Sequence, residues 1–321
     1  MRARVTAIMM AGTLVGCGGG ESGGGGVAVV PGTPTPAPSA SPSAAAPVYA
    51  RFAELTGDQL FRTACGVLEL NASPPFPRPV LGIGEGPVIR YTAATDRYAI
   101  DGDTISAGFG PEDRDPAAPA NARAYVKRVD GIPQVFSTGQ PIAGGIGLDY
   151  GRGMNLQIQR QQRGINRYAC TFGVPTLVTD RPAAAFTYAR TGINGIAYVV
   201  DQSGVPRTYT LVASTATMRV DPAAGQAAVT IRLLGQLLGP AGPATATTDF
   251  GSFTGTVTID WIGGGYRGAL TGPDGRSDFS GLAGWFYGPQ AREAAFSFAL
   301  VTADPATGIR LSAVGNGSGA L

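Results

Sequence analysis

The sequence predicts a mainly β protein: a C-terminal eight-stranded antiparallel β-barrel, preceded by a β-rich, handle-like region that carries one short helix. Three observations predict it. Phe253, Gly255, Val257, Ile259 and Trp261 alternate with Thr254, Thr256, Thr258 and Asp260, the period of two that gives a strand one apolar and one wet face. Turn signals recur, as in Asp221-Pro222-Ala223-Ala224-Gly225 and Asp304-Pro305-Ala306-Thr307-Gly308, each ahead of an apolar run. In such turns Pro presets φ and Gly accepts the positive φ that closes a hairpin. Charged residues are only 14% of the chain, against 49 Gly, so the surface is polar mainly through Thr, Ser, Gln and backbone. That composition suits sheets joined by tight turns.

The first element, residues 1–16, reads as an address. Arg2 and Arg4 form a basic start, and Val5 to Val15 form an apolar run too short for a spanning helix, which needs about 20 residues. The run ends in Leu14-Val15-Gly16-Cys17, which resembles the bacterial lipobox. In lipoproteins of that kind the Cys thiol is diacylated and the chain is cut just before it, so Cys17 is the expected lipidation site and the membrane anchor. Gly18 stands where an Asp is the usual inner-membrane retention signal, which leans towards the outer membrane.

Residues 17–47 form the expected tether. A Gly-rich coil from Gly18 to Gly26 passes into a stiffer Pro/Ala/Ser/Thr tract from Pro31 to Pro47. About 30 residues at up to roughly 3 Å each hold a folded head tens of ångströms from the membrane.

Residues 48–181 are the handle-like region. Asp58 is placed to cap a helix in which Leu60, Phe61, Ala64 and Cys65 share a face. Strands are expected at Val88–Thr92, Tyr98–Asp101 and Gln134–Ser137, and loops at 74–77 and 110–115; residues 157–163 fit a strand or a helix equally. With Cys17 lipidated, Cys65 and Cys170 remain. An even pair in an oxidising export compartment points to one disulfide, the alternative being two buried thiols.

Residues 182–321 are the expected barrel. Candidate strands lie near 185–191, 195–200, 207–213, 216–220, 227–234, 253–261, 265–270, 278–287, 293–300 and 309–314, and a merger or two brings the count to eight. Tyr188, Tyr198 and Tyr209 fit barrel packing better than a ligand cage.

Composition also bounds the chemistry. The chain has no His, which removes Ser-His-Asp and Cys-His catalysis and His-ligated zinc or haem. Removing the leader's two Arg from 24 basic residues leaves 22, against 22 acidic ones, so the mature chain is neutral and nucleic acid is not an expected partner. The Gly144–Gly153 stretch lacks both the G-K-[ST] ending and the G-x-G-x-x-G spacing of nucleotide loops. Asp101-Gly102-Asp103 and 112–115 read as solvated turns rather than Ca²⁺ loops. No catalytic, cofactor or metal residues are expected.

Gly284-Trp285-Phe286-Tyr287-Gly288-Pro289-Gln290-Ala291-Arg292-Glu293 followed by Phe298 resembles the signature G-x-F-Y-G-P-x-A-x-E-x-x-x-x-F. That signature closes the β-barrel domains of the transferrin-binding-protein-B-like surface lipoproteins. Phe250–Gly255, Tyr266–Gly272 and Phe279-Ser280-Gly281 resemble its upstream strands, and Tyr91 to Tyr98 is like hairpins of that family. Two features depart from it: Ala295-Phe296 stands where a Gly pair often follows the Glu, and the chain has room for one handle-plus-barrel lobe only. Gly288-Pro289 reads as a sharp turn, Ala291 as a small residue against the barrel wall, Glu293 as an acceptor for turn amides, and Phe286 and Phe298 as core. The resemblance implies a scaffold and a surface-lipoprotein role, and leaves the ligand open.

The leading expectation is a non-catalytic outer-membrane or surface lipoprotein that binds a protein or a metal or haem carrier, as co-receptor of a nutrient transporter. Two alternatives stand beside it: a structural or interaction lipoprotein of the envelope without cargo, on either face of the outer membrane, and a carboxylate-dependent hydrolase. A transmembrane barrel is disfavoured by the lipobox, the tether and the final Leu321.

Overall fold

The computed structural model describes residues 47–321, apart from 73, 120–122, 161–163, 241, 264 and 305–307. The expected leader, Cys17 and the tether to residue 46 lie outside the described residues, as do residues 161–163 and the middle of the 304–308 turn.

The first half is all strand and turn. It contains β1 (Gln59–Phe61), β2 (Ala64–Glu69), β3 (Phe76–Leu81), β4 (Val88–Thr92), β5 (Arg97–Gly102) and β6 (Ile105–Phe109). β7 (Arg123–Val129), β8 (Ile132–Gly139), β9 (Ile142–Ala143), β10 (Ile146–Gly147), β11 (Gly151–Arg160) and β12 (Gly164–Gly173) follow. A four-stranded sheet runs β1-β4-β5-β6 and a six-stranded sheet β3-β2-β12-β11-β8-β7, with β9 and β10 as a separate hairpin. Alternation sorts their side chains. Ile105, Ala107 and Phe109 of β6 point into the space between the sheets, where they join Tyr168, Cys170 and Phe172 of β12.

The expected short helix is absent. Residues 59–61 pair with β4 and residues 64–69 pair with β12 and β3. Leu60 is 60% exposed, and Asp58 accepts a hydrogen bond from the Ala93 amide at 2.9 Å, so it caps a different turn. The reason lies in β2. Its Cys65 and Val67 face the four-stranded sheet, while Ala64, Gly66 and Leu68 face the second half of the chain. A strand buried on both faces carries a continuous apolar run, and such a run has no period of two to tell it from a helix. Helical structure among the described residues is limited to 3₁₀ turns at Phe52–Glu54, Ala93–Thr95, Pro111–Asp113, Val178–Asp180 and Pro289–Ala291. The expected loop at 74–77 instead leads into β3, an edge strand, where Pro77 and Pro79 are tolerated because one row of amides needs no partner.

The second half contains β13 (Phe186–Thr187), β14 (Arg190–Val200), β15 (Pro206–Leu211), β16 (Thr215–Asp221) and β17 (Gln226–Gly239). It continues with β18 (Gly242–Asp260), β19 (Gly265–Ala269), β20 (Gly281–Tyr287), β21 (Glu293–Ala303) and β22 (Arg310–Ala320). β15 and β16 are two halves of one wall strand, since both pair antiparallel with β17. They break where Ala213 takes φ 52° and the Ser214 hydroxyl accepts from the Leu234 amide at 2.8 Å. With those halves joined, eight strands form a closed, barrel-like ring: each pairs with its chain neighbour, and β22 returns to β14. β13 adds a short pairing with β16.

A ring of eight strands is just wide enough for its own side chains to fill. Phe286 stacks on Trp261 at 4.8 Å and packs on Tyr266 at 4.7 Å between ring centres. Phe296 and Phe298 lie across from Gly317 and Gly315 of β22. A Cβ on Gly317 would come 2.0 Å from the Phe296 ring, and one on Gly315 would come 2.6 Å from that of Phe298. Large residues on one strand thus fill space left by glycines on the next.

The outside of the ring differs by sector. β20 to β22 are covered by the six-stranded sheet, through contacts such as Ser297 Oγ to the Ala64 carbonyl at 2.8 Å. Elsewhere the wall is wet: Thr217, Arg219, Thr254, Thr256, Thr258 and Asp260 are all exposed. A lipid-facing barrel would carry an apolar band there.

Candidate functional site

The sequence-marked residues gather at one end of the ring, around the turn from β20 to β21. Gly288 begins it with φ 70°, a left-handed value, and a Cβ there would come 2.4 Å from the Tyr150 ring. Pro289 follows, then Gln290 and Ala291 with φ 52° and 53°. Non-glycine residues in this region need support from their surroundings. The chain between β12 and β13 supplies it. Asp180 accepts from the Gln290 amide at 3.0 Å, Thr176 Oγ1 donates to the Gly288 carbonyl at 2.7 Å, and the Gly288 amide donates to Val174 at 3.1 Å. The Tyr188 hydroxyl donates to the Ala291 carbonyl at 2.8 Å.

Gly284 sits in β20 where its missing side chain lets β21 approach: a Cβ would meet the Ala295 carbonyl at 2.3 Å. Phe286 and Phe298 point into the ring, while Tyr287 points out of it, packed with Leu148, Tyr150, Ala295 and Ala320. Burial pushes the Tyr287 phenol up from its ordinary value.

Glu293 is buried, and its acceptors serve a distant turn rather than its own. Oε1 accepts from the Asp149 amide at 2.6 Å; Oε2 accepts from Tyr150 at 2.9 Å and Gly151 at 3.0 Å. Three backbone donors on one carboxylate satisfy both its charge and the amides of that loop. Sequence separation hides this partnership, since nothing near Glu293 marks residues 149–151.

Cys65 and Cys170 form a disulfide between directly opposed residues of β2 and β12. Tyr188 and Tyr209 lie in the ring core, and Tyr198 packs outside it against the cluster of Leu68, Ala169 and Val314.

The opposite end of the ring is open. Here the β14–β15, β19–β20 and β21–β22 connections surround a cavity of about 480 Å³ with Tyr209, Phe250, Pro273 and Leu311 among its lining residues. Tyr209 and Phe250 meet edge to face at 5.2 Å. Asp201, Asp249, Asp274 and Asp304 also line it. Donors from Ser203 hold the Asp201 carboxyl below its usual value, and Arg232 with the Gly251 amide does the same for Asp249. Burial opposes ionisation of Asp274, but the Ala303 and Arg276 amides outweigh it. The rim is therefore charged at neutral pH, with two of its carboxylates paired: Asp201 with Arg207, which also lines the cavity, at 2.8 Å, and Asp249 with Arg232 at 2.6 Å. Val205, in the β14–β15 connection, is 61% exposed. Sequence reading passed over this site. Its available signal was an Asp accepting the amide two residues on, at Asp201 and Asp274 in connections and at Asp249 within β18.

The described chain joins the fold at the signature end. The Leu177 amide donates to the Tyr49 hydroxyl at 2.8 Å, and the Phe52 amide donates to the Asp149 carbonyl at 3.0 Å. Glu293 and Ala303 bound β21, so the first folded residues and the cavity lie at opposite ends of that strand.

No protein-family model matches the chain, and no curated protein matches it. Among solved structures, the chain is similar to a variant of transferrin-binding protein B from Haemophilus parasuis, with 14% identity and a TM-score of 0.41 over 81% of this chain. Transferrin-binding protein B from Neisseria meningitidis is similar at 17% identity and a TM-score of 0.37 over 81% of this chain. The chain spans 45% and 43% of those two proteins. HpuA of Kingella denitrificans, in complex with human haemoglobin, is similar at 12% identity and a TM-score of 0.35, covering 81% of this chain and 87% of that one.

Proposed function

We propose that this protein is a non-catalytic lipoprotein, anchored in the outer membrane through Cys17 and displayed on the cell surface. It binds a protein partner, a carrier of metal or haem, at the open mouth of its ring, and works beside an outer-membrane nutrient transporter. One observation carries this reading: the described chain joins the fold at the signature end of the ring, and the open mouth, lined by aromatic and charged side chains, lies at the other. The polar wall supports a head bathed in water, and the resemblance of 284–298 to the surface-lipoprotein signature supports the class of role. Among the described residues the buried carboxylates, Asp180 and Glu293, are occupied by amide donors, which supports binding over carboxylate catalysis.

Protease shaving of intact cells, with detection of the region after Val48 and a Cys17→Ser control, tests the placement. Digestion in intact cells, lost in the control, is the expected result. Protection until the outer membrane is permeabilised would put the head in the periplasm and favour a structural envelope lipoprotein instead.

A further inference from the structure

A second cavity, remote from the mouth of the ring, opens between the sheets of the first half. Its volume is about 610 Å³, within the range of small-molecule pockets. Phe52, Phe61, Tyr91 and Tyr98 supply aromatic wall, and Arg123 and Arg152 supply the only charged side chains lining it.

Both guanidiniums are held in place. Arg152 lies over the Phe52 ring, 4.4 Å from its centroid, and donates to the carbonyls of Leu148 at 2.8 Å and Gly151 at 2.6 Å. Those carbonyls belong to the turn that Glu293 fixes. Arg123 lies over Tyr91 at 5.4 Å and donates to the Tyr98 hydroxyl. The burial that surrounds Arg152 works against its charge and lowers its pKa.

The charges are incompletely compensated. Arg152 makes no ion pair with a carboxylate among the described residues and its bonded acceptors are neutral carbonyls; the carboxylates of Glu293 and Asp149 favour its charge from beyond contact, and burial outweighs them. The carboxylate near Arg123 is Asp96 at 3.8 Å, which already binds Arg114 and the Tyr91 hydroxyl. A half-buried guanidinium with no carboxylate bonded to it favours an anion, and flat rings favour a flat apolar body. A cation would be repelled, and a neutral ligand would leave the two guanidiniums with only their present, shared or distant, carboxylates.

We propose that this cleft is a binding site for a small organic anion, a carboxylate or sulfonate carried on an aromatic body. The inference stands apart from the proposed role of the ring's mouth. Because Arg152, Phe52 and their turn are already fixed, little ordering is required when the ligand arrives.

The test uses the full chain carrying Cys17→Ser, so that acyl groups do not compete for the probe. The probe is 8-anilinonaphthalene-1-sulfonate, with N-phenyl-1-naphthylamine as the same ring system without the charge. Saturable binding of the sulfonate is expected, with the uncharged compound roughly tenfold weaker or more. Arg152→Gln and Arg123→Gln should each weaken the sulfonate roughly tenfold and leave the amine unchanged. Arg219→Gln, on the exposed ring wall, should leave both unchanged. Equal binding of the two compounds, or sulfonate binding indifferent to the cleft arginines, would overturn the proposal. Near-ultraviolet circular dichroism checks each fold. Should Arg152→Gln misfold, Arg123→Gln decides, because that side chain is 46% exposed and holds no turn.

Discussion

The carboxylate of Glu293 holds the backbone amide of Tyr150 at 2.9 Å, across 143 residues of chain. Neighbouring amides of Asp149 and Gly151 complete the contact, so one side chain of the ring sets the conformation of a turn in the first half. Replacing it by Ala strands three buried or half-buried donors. We expect Glu293→Ala to cost about 3–5 kcal/mol in urea unfolding, and Glu293→Gln to cost less, since one amide oxygen still accepts. A loss below about 1 kcal/mol for the Ala variant would contradict this account of the contact.

The fit of Phe296 against Gly317 makes a second prediction. Gly317→Ala adds a methyl where the ring already stands, and is expected to cost about 1–3 kcal/mol by overpacking. Phe296→Leu should recover part of that cost in the double variant, seen as coupling in a double-mutant cycle. Strict additivity would show that the two side chains do not share the space.

The Cys65–Cys170 disulfide closes a loop of 105 residues. On the chain-entropy account such a loop contributes about 4–5 kcal/mol, and 2–5 is typical of native disulfides. The Cys65→Ser/Cys170→Ser double variant should unfold at correspondingly lower urea concentration. Non-reducing peptide mapping of the wild type should yield a single linked pair and no free thiol at either position.

Acid should loosen the strained turn at Gln290. Burial of Asp180 pushes its carboxyl up, but the Gln290 amide, the Gln290 side chain and the Tyr49 hydroxyl outweigh that and hold it below the usual value. A carboxyl depressed in the folded state adds stability above its unfolded pKa of about 3.9, and that contribution is lost as pH falls through the folded value. Wild type should therefore exceed Asp180→Asn in stability from about pH 5 to 8, and the gap should close below about pH 3. A gap of constant size down to acid pH would assign the effect to packing rather than charge.

Much of the ring was legible because its strands have one wet face. Thr254, Thr256 and Thr258 stand outside and Phe253, Val257 and Ile259 inside, so solvent itself writes the period of two into residues 253–260. The turn at Gly288-Pro289 was legible from residue types that few other conformations accept. Where both faces of a strand are covered, that signal vanishes. Ala64–Leu68 then resembles a helix, and the expected strand at 309–314 stops short of the glycine-rich half of β22, which makes sense as strand once Phe296 and Phe298 are seen to occupy the space over Gly317 and Gly315.

Residue types and their order along the chain thus determined the mainly β class and the signature-like run at 284–298, and they alone carry the expectation of a lipidated Cys17 and a tether. Tertiary structure alone decided that Glu293 serves residues 149–151, that Cys65 faces Cys170, and that Arg123 and Arg152 share one cleft. Each of those partnerships joins residues far apart in the chain, and local propensity carries no information about which distant groups a closed ring and its neighbouring sheets bring into reach.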